Sequence, residues 1–429
     1  MDRKEKIMLL QFRFQNFKSF QDDTILDLTA TKSTEFKNHV ISLGNENILP
    51  TAAIYGANAS GKSNVILAFR YMTMYVLNSL NYGGENSDNG ERREMPRVTP
   101  FLLHSKSQQE VSSFEVYFVD PEEEGAKTYN YGFTVNSIGV QEEWLNYKMK
   151  SARKDSMRKV FYRNGETLEL DGIDSASQDN LRVAIEKETL LVSLGARLKI
   201  QILKHIRDWF SLNQVVDFGR PEETFFRSRT VPSDFANDRL VQQNVVRYFS
   251  SFDPSIIDFN VETIKNEDET KSNLKIDAVH KMVDSDAVTT IPFANESAGT
   301  LKMFSLYPVL HKVLTKGSVL FVDELNGRLH PLLVRALIIT FLDSETNPKH
   351  AQLIFTTHDA WQLNSGLLRR DEIWFAEKNM DGISTLYSLA EFADEEGDKI
   401  RKDENYEKNY LLGKYGGIPY MKPFDMFKE

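Results

Sequence analysis

One octapeptide constrains this chain more than any other feature. Gly56-Ala-Asn-Ala-Ser-Gly61-Lys62-Ser63 satisfies G-x-x-x-x-G-K-[ST] in full. Its surroundings fit. Thr51 to Tyr55 is a compact apolar run that reads as a buried strand, and Asn64 to Leu80 shows helical spacing through Val65, Ala68, Phe69, Met72 and Val76. The glycines Gly56 and Gly61 let backbone N–H groups wrap phosphates, Lys62 reaches the outer phosphates, and the Ser63 hydroxyl suits Mg²⁺. The following helix would point its N-terminus at the same anion. Asn58 inside the loop and Asn64 just after it complete the nucleotide-contacting set expected here.

Composition narrows the field around that loop. The 429 residues suggest two to three domains and a core that needs no staples. With no cysteine, disulfides, thiolate metal sites and cysteine nucleophiles are excluded. The net charge of −10, from 52 basic and 62 acidic residues, argues against a uniformly basic DNA-coating protein but not against a local basic patch. The first twenty residues lack an apolar signal-peptide core, and no stretch reaches about 18 apolar residues. The expectation is a soluble, cytoplasmic protein with no membrane partner.

Two further apolar strands end in polar chemistry. Val319-Leu-Phe-Val-Asp323-Glu324 reads as a parallel-sheet strand with two acids at its carboxyl end. Asp323 is placed for the Mg²⁺ shell, and Glu324 to orient and deprotonate a water. Gln352 to Thr356 leads into Thr357-His358-Asp359. His358 is expected to hydrogen-bond a γ-phosphate, the alternative being a cap on the next turn. Glu296-Ser297-Ala298-Gly299-Thr300 precedes a helical pattern. Ser297 and Gly299 at a helix start form an anion site or, on their own terms, an ordinary cap.

The set, read in order, resembles the ATP-binding-cassette ATPase superfamily, and within it the chromosome-maintenance and recombination-repair branch. Asn16-Phe-Lys-Ser-Phe20, the phosphate loop, Glu296 to Thr300, the Asp323-Glu324 strand, Leu329-His-Pro331 and Thr357-His358 carry the likeness. Asn409 to Pro419 (NYLLGKYGGIP) looks like the mark of a narrower group of prokaryotic AAA-type ATPases. That group includes phage-defence and abortive-infection proteins of PARIS-like and AbiL-like systems. The resemblance implies ATP and Mg²⁺ as ligands and two ATPs sandwiched between two subunits. Ser297 and Gly299 would then act across the interface, and Lys18 would lie near the nucleotide unless it is simply a solvated strand residue. This sequence departs from the pattern at Asn326, where an aspartate is usual. The glutamine that usually completes the Mg²⁺ shell stays open among Gln108, Gln109 and Gln141.

The expected fold is α/β, a cassette-type ATPase head split across both chain ends. Residues 1–176 would hold the loop and a β-rich segment, 177–284 a helical lid, and 285–429 the signature, acidic strand and histidine. The 233 residues between Ser63 and Ser297 show no heptad seam, so a long coiled coil is not expected. The expected function is an ATP-driven switch, a homodimer or higher homo-oligomer controlling an effector protein encoded nearby in an anti-phage system. The second reading is a DNA-repair ATPase that binds nucleic acid directly through the basic stretch Lys148 to Arg163, which otherwise is a solvated hairpin. A transporter's nucleotide-binding subunit fits least.

Overall fold

A computed structural model describes residues 7–82, 94–121, 126–149, 157–220, 231–232, 234–265, 272–283, 285–363, 366–392, 400 and 404–418. The loop expected at 81–97, the turn at 121–125, the basic stretch at 148–163 and the block at 409–419 lie partly outside these residues.

From the N-terminus come β1 (Met8–Gln15), β2 (Thr24–Asp27), β3 (Ile41–Leu43), β4 (Glu46–Ile48), β5 (Thr51–Tyr55) and α1 (Lys62–Asn78). Then follow β6 (Ser112–Asp120), β7 (Lys127–Val135), β8 (Val140–Met149), β9 (Arg158–Asn164), β10 (Thr167–Glu169), α2 (Ser175–Ala184), α3 (Leu191–Arg197) and α4 (Gln201–Leu212). The next elements are β11 (Gln214–Asp217), α5 (Arg239–Ser250), β12 (Ile256–Lys265), β13 (Ser272–Lys281), β14 (Val288–Pro292) and α6 (Ala298–Lys316). The last are β15 (Val319–Asp323), α7 (Pro331–Leu342), β16 (Gln352–Thr356), β17 (Ile373–Lys378), β18 (Ser384–Ser388) and α8 (Tyr406–Leu411). The α/β class expected from the sequence is the one found.

Two sheets carry the architecture. The central one runs β11-β15-β16-β5-β17-β18, parallel except for β18 at its edge. Strands β5, β15 and β16 are buried along their whole length, as expected where both faces of a parallel sheet are covered. The other sheet is antiparallel, in the order β10-β9-β8-β7-β6-β1-β2.

Helix α1 lies between the two sheets. Its Phe69 ring stacks on Phe321 of β15 with centroids 3.9 Å apart and meets Phe12 of β1 edge-on at 5.3 Å. A helix packed on two sides must be apolar on two sides, which is why α1 buries Val65, Ile66, Ala68, Phe69, Met72 and Val76. Each of these side chains but Ala68 contributes roughly 1.5–3 kcal/mol of burial. The opposite face of the central sheet is covered by α6, α7 and the C-terminal aromatics Tyr406, Tyr410 and Tyr415. A third sheet, β12-β13-β14, packs with α5 on α6 through Phe249, Phe259, Phe293 and Phe304.

The segment 177–284, expected as a helical lid or insertion, combines helices with the strands β11, β12 and β13. Helices α3 and α4 pack on α1, where the Ser193 hydroxyl donates to Val76 O at 2.6 Å and Arg207 to Leu77 O at 2.9 Å. The chain then re-enters the central sheet as β11, parallel to β15, before leaving again for α5. A four-residue strand is too short to show a period, and its pairing partner lies about a hundred residues further on.

Candidate nucleotide-binding site

The loop joining β5 to α1 needs glycine at both ends. Gly56 sits at φ +153°, where an added Cβ would stand 2.3 Å from the Ala376 carbonyl oxygen. Gly61 caps α1 at φ +110°, and a Cβ there would stand 2.6 Å from Ser384 Oγ. Lys62 opens the helix and is buried. Its Nζ folds over its own loop, donating to the carbonyls of Gly56 and Ala57 at 2.8 Å each. Burial pulls the Lys62 pKa down to about 8, opposed by the charges of Asp323 and Glu324. Asn58 is exposed on the loop. Asn64 points elsewhere: its side-chain N–H donates to Ser19 Oγ at 2.7 Å, tying the helix start to the antiparallel lobe. Ser384 strengthens that tie, donating to Ser60 O at 2.7 Å while its own N–H donates to Ser19 O at 2.7 Å.

The acids arrive on the neighbouring strands. Asp323 ends β15 and is buried, accepting from Thr356 Oγ1 at the end of β16. The same hydroxyl oxygen accepts the Glu324 N–H at 2.8 Å. Glu324 itself sits at φ +52°, a left-handed conformation that costs a non-glycine residue roughly 1–2 kcal/mol. Lys302 of α6 fixes the backbone beyond it, donating to the carbonyls of Glu324, Leu325 and Gly327 at 3.2, 2.8 and 2.7 Å. Burial lowers the Lys302 pKa to about 7, with Glu324 opposing.

His358 Nε2 lies 3.9 Å from Glu324 Oε1. Burial, and then the Lys62 charge, lowers its pKa; Glu324 and Asp323 pull the other way. The capping alternative is answered by its neighbours, since Thr357 Oγ1 takes the Asp359 N–H at 3.0 Å and Asp359 takes the Trp361 N–H. Asn326, the departure noted in the sequence, accepts the His358 backbone N–H at 3.4 Å. Lys62, Asp323, Glu324 and His358, distant in sequence, thus sit within one another's electrostatic reach.

Ser297 and Gly299 stand apart. Ser297 caps α6, its Oγ accepting the Thr300 N–H at 3.1 Å. A Cβ on Gly299 would meet the Arg328 carbonyl at 3.3 Å, in the loop after Glu324. Among the described residues no hydrogen bond joins either one to the phosphate loop. Lys18 is held at φ +53° in the turn after β1, its backbone N–H donating to Thr99 O at 2.8 Å. Burial and the charge of Arg220 lower its pKa. Of the candidate glutamines, Gln108 donates to Leu102 O, and Gln141 to Asn136 and Gly139 of its own turn.

Sequence reasoning missed Thr356, Lys302 and the end of β11. A lysine on the buried face of α6 was the one visible signal. It also missed what the C-terminal block touches. A Cβ on Gly417 would stand 3.6 Å from Gly56 Cα, and Tyr410 OH donates to Gly417 O at 3.2 Å. The block NYLLGKYGGI therefore backs the first glycine of the phosphate loop.

The donor set suits a triphosphate with a hard cation. Ser63 at the helix start and Asp323 offer oxygen ligands only, and Mg²⁺ binds through one or two such groups while keeping several waters. Gly56 and Gly61 shape a cradle that a side chain would fill, as a phosphate loop requires. Among the described residues no helix is long and apolar enough to cross a membrane.

The family model described as "AAA domain, putative AbiEii toxin, Type IV TA system" matches residues 52–360, from β5 through the turn after His358. No curated protein matches. One solved structure that aligns is the SmcHead bound to the C-winged helix domain of ScpA. It has 15% identity and a TM-score of 0.41, over 89% of this chain and 97% of that one. With the strand-loop-helix, the acid-ended strand and the histidine strand all inside the matched span, this chain belongs to the AAA-domain family of putative AbiEii toxins of type IV toxin–antitoxin systems.

Proposed function

We propose that this chain is an ATP-hydrolysing switch that closes as a dimer around two ATPs. Lys62 and the loop hold the phosphates, and Ser63 and Asp323 hold Mg²⁺, which would neutralise charge on the phosphates when bound. Glu324 orients and deprotonates the attacking water, and His358 contacts the γ-phosphate. Ser297 and Gly299 would complete the site of a second copy. One observation carries this reading: Lys62, Asp323, Glu324 and His358 converge within one chain, while Ser297 and Gly299 have no bond to that chain's own loop. The family description, an AAA domain of AbiEii-type toxin–antitoxin systems, supports a toxin–antitoxin or abortive-infection setting. In that setting the chain would be the cytoplasmic sensor ATPase of an anti-phage system, acting on a partner effector encoded nearby.

Direct DNA binding is less favoured, because three of the four described basic residues of the stretch at 148–163 have partners within the chain, while Arg158 stands exposed. Lys148 pairs with Glu46 at 3.6 Å, Lys159 with Glu169 and Asp171, and Arg163 donates to Thr189 O and Glu186 O. Glu324→Gln should bind ATP without turning it over and accumulate as a dimer in size-exclusion chromatography with light scattering. If ATP leaves the mass of both the variant and the wild type unchanged, the dimer switch is wrong.

A further inference from the structure

We propose that Arg220, in the turn after β11, is a phosphate-contacting residue of the ATP site supplied by the same chain. The inference rests on the ATPase reading above and adds a residue that the motifs do not contain.

Strand β11 pairs with β15 so that Asp217 lies opposite Asp323. The end of β11 is therefore level with the acid-bearing end of the central strand. The next residue continues the pairing, with the Phe218 N–H donating to Asp323 O at 3.1 Å. The chain then turns against the reacting end of the site: a Cβ added to Gly219 would lie 3.3 Å from Glu324 Cδ. Arg220 is the residue immediately after that contact.

The turn is held rather than loose. The Phe218 ring lies under Lys302, whose Nζ is 4.0 Å from its centroid. Asp217 takes the Gly219 N–H at 3.0 Å and pairs with Arg220 Nε at 3.0 Å. So the lysine that fixes the Glu324 backbone also fixes the base of the Arg220 turn. The Arg220 side chain is 57% exposed, which leaves it open to a ligand from solvent.

A second cation meets it from the other lobe. Lys18 is half-buried, and no acid among the described residues pairs with it, while the Arg220 charge depresses its proton affinity. Folding thus brings Lys18 within electrostatic reach of Arg220, and with Asp217 the acid paired to Arg220 in this turn, the three side chains carry a net positive charge that favours an anionic ligand. A nucleoside triphosphate supplies that anion. Arginine suits its oxygens because the guanidinium offers several donors in a fixed plane. The plainer alternative is that Arg220 serves only its ion pair with Asp217 and has no influence on ligand.

The test compares Mg²⁺–AMP-PNP with Mg²⁺–ADP by titration calorimetry, using wild type, Arg220→Ala and Arg220→Gln. Charged hydrogen bonds to a phosphate imply a loss of about 10- to 100-fold in AMP-PNP affinity for both variants. ADP affinity should stay within about twofold if the terminal phosphate is the contact. Thermal midpoints close to wild type would show that both variants fold. Unchanged AMP-PNP affinity in both variants, with a wild type that binds, overturns the assignment of Arg220. A wild type that binds neither nucleotide overturns instead the ATPase reading on which it rests.

Discussion

Two regions of this molecule bury charge, and they do so in opposite ways. In the antiparallel lobe, Glu143 is fully buried and its needs are met. It accepts from the backbone N–H groups of Leu191 and Val192 at 2.6 and 3.1 Å and from Tyr131 OH at 3.0 Å, and it lies near Arg163. At the phosphate loop, Lys62 is buried with, among the described residues, only its own loop's carbonyls as hydrogen-bond partners, Ser60 Oγ is buried with none among them, and Glu324 is held in a left-handed conformation. The first arrangement is closed. The second keeps donors and strain in place for something that is not protein. A saturated buried network supports stability, whereas an unsaturated one beside strand ends supports binding.

The comparison can be broken at either region. The largest effect is expected from Lys62→Ala, which should reduce ATP affinity or turnover by at least about 100-fold while leaving the melting temperature unchanged or slightly higher. A melting point several degrees lower would mean that Lys62 is structural. Next, Glu143→Ala should behave in reverse. Stranding two helix-start N–H groups should cost roughly 2–4 kcal/mol in denaturant unfolding, with nucleotide affinity kept.

The two regions should also answer differently to pH. Burial raises the Glu143 carboxyl to about 7, so the folded state keeps a proton that the unfolded chain releases near the ordinary carboxylate value. Its contribution to stability is therefore full below that value and is lost as pH rises towards 7. Glu143→Gln should flatten this decline, as read from unfolding free energies between pH 5 and 7. At the other region the His358 pKa is lowered, so its imidazole is neutral from the ordinary histidine value upward. Turnover should be flat from about pH 6.5 until Lys62 begins to lose its proton near 8, and bend below 6.5, and His358→Gln should remove the lower bend. The smallest effect is expected from Tyr410→Phe, which removes the hydroxyl's bonds to the Gly417 carbonyl and the Gly56 backbone and should change ATP affinity by less than about threefold.

How much of this was legible in the sequence followed from locality. The loop, Asp323-Glu324 and Thr357-His358 each occupy a strand end, so a few adjacent residues give both the element and its polar tip. The helical character of 177–212 was likewise local. What the sequence hid was non-local pairing. Asp217 faces Asp323 across a register between segments about a hundred residues apart, and Gly417 backs Gly56 from the far end of the chain. Lys302 lay hidden because its three acceptors are backbone carbonyls, which no residue type announces.

The most direct test of the central claim, that these converging side chains form an ATP-hydrolysing site, is phosphate release from Mg²⁺–ATP by purified wild type, Lys62→Ala and Glu324→Gln at equal concentration. Release by wild type, with a loss of about 100-fold or more in each variant and retained ATP binding only in Glu324→Gln, is the expected result. Equal release by all three proteins, or none by wild type with Mg²⁺ present, would contradict it.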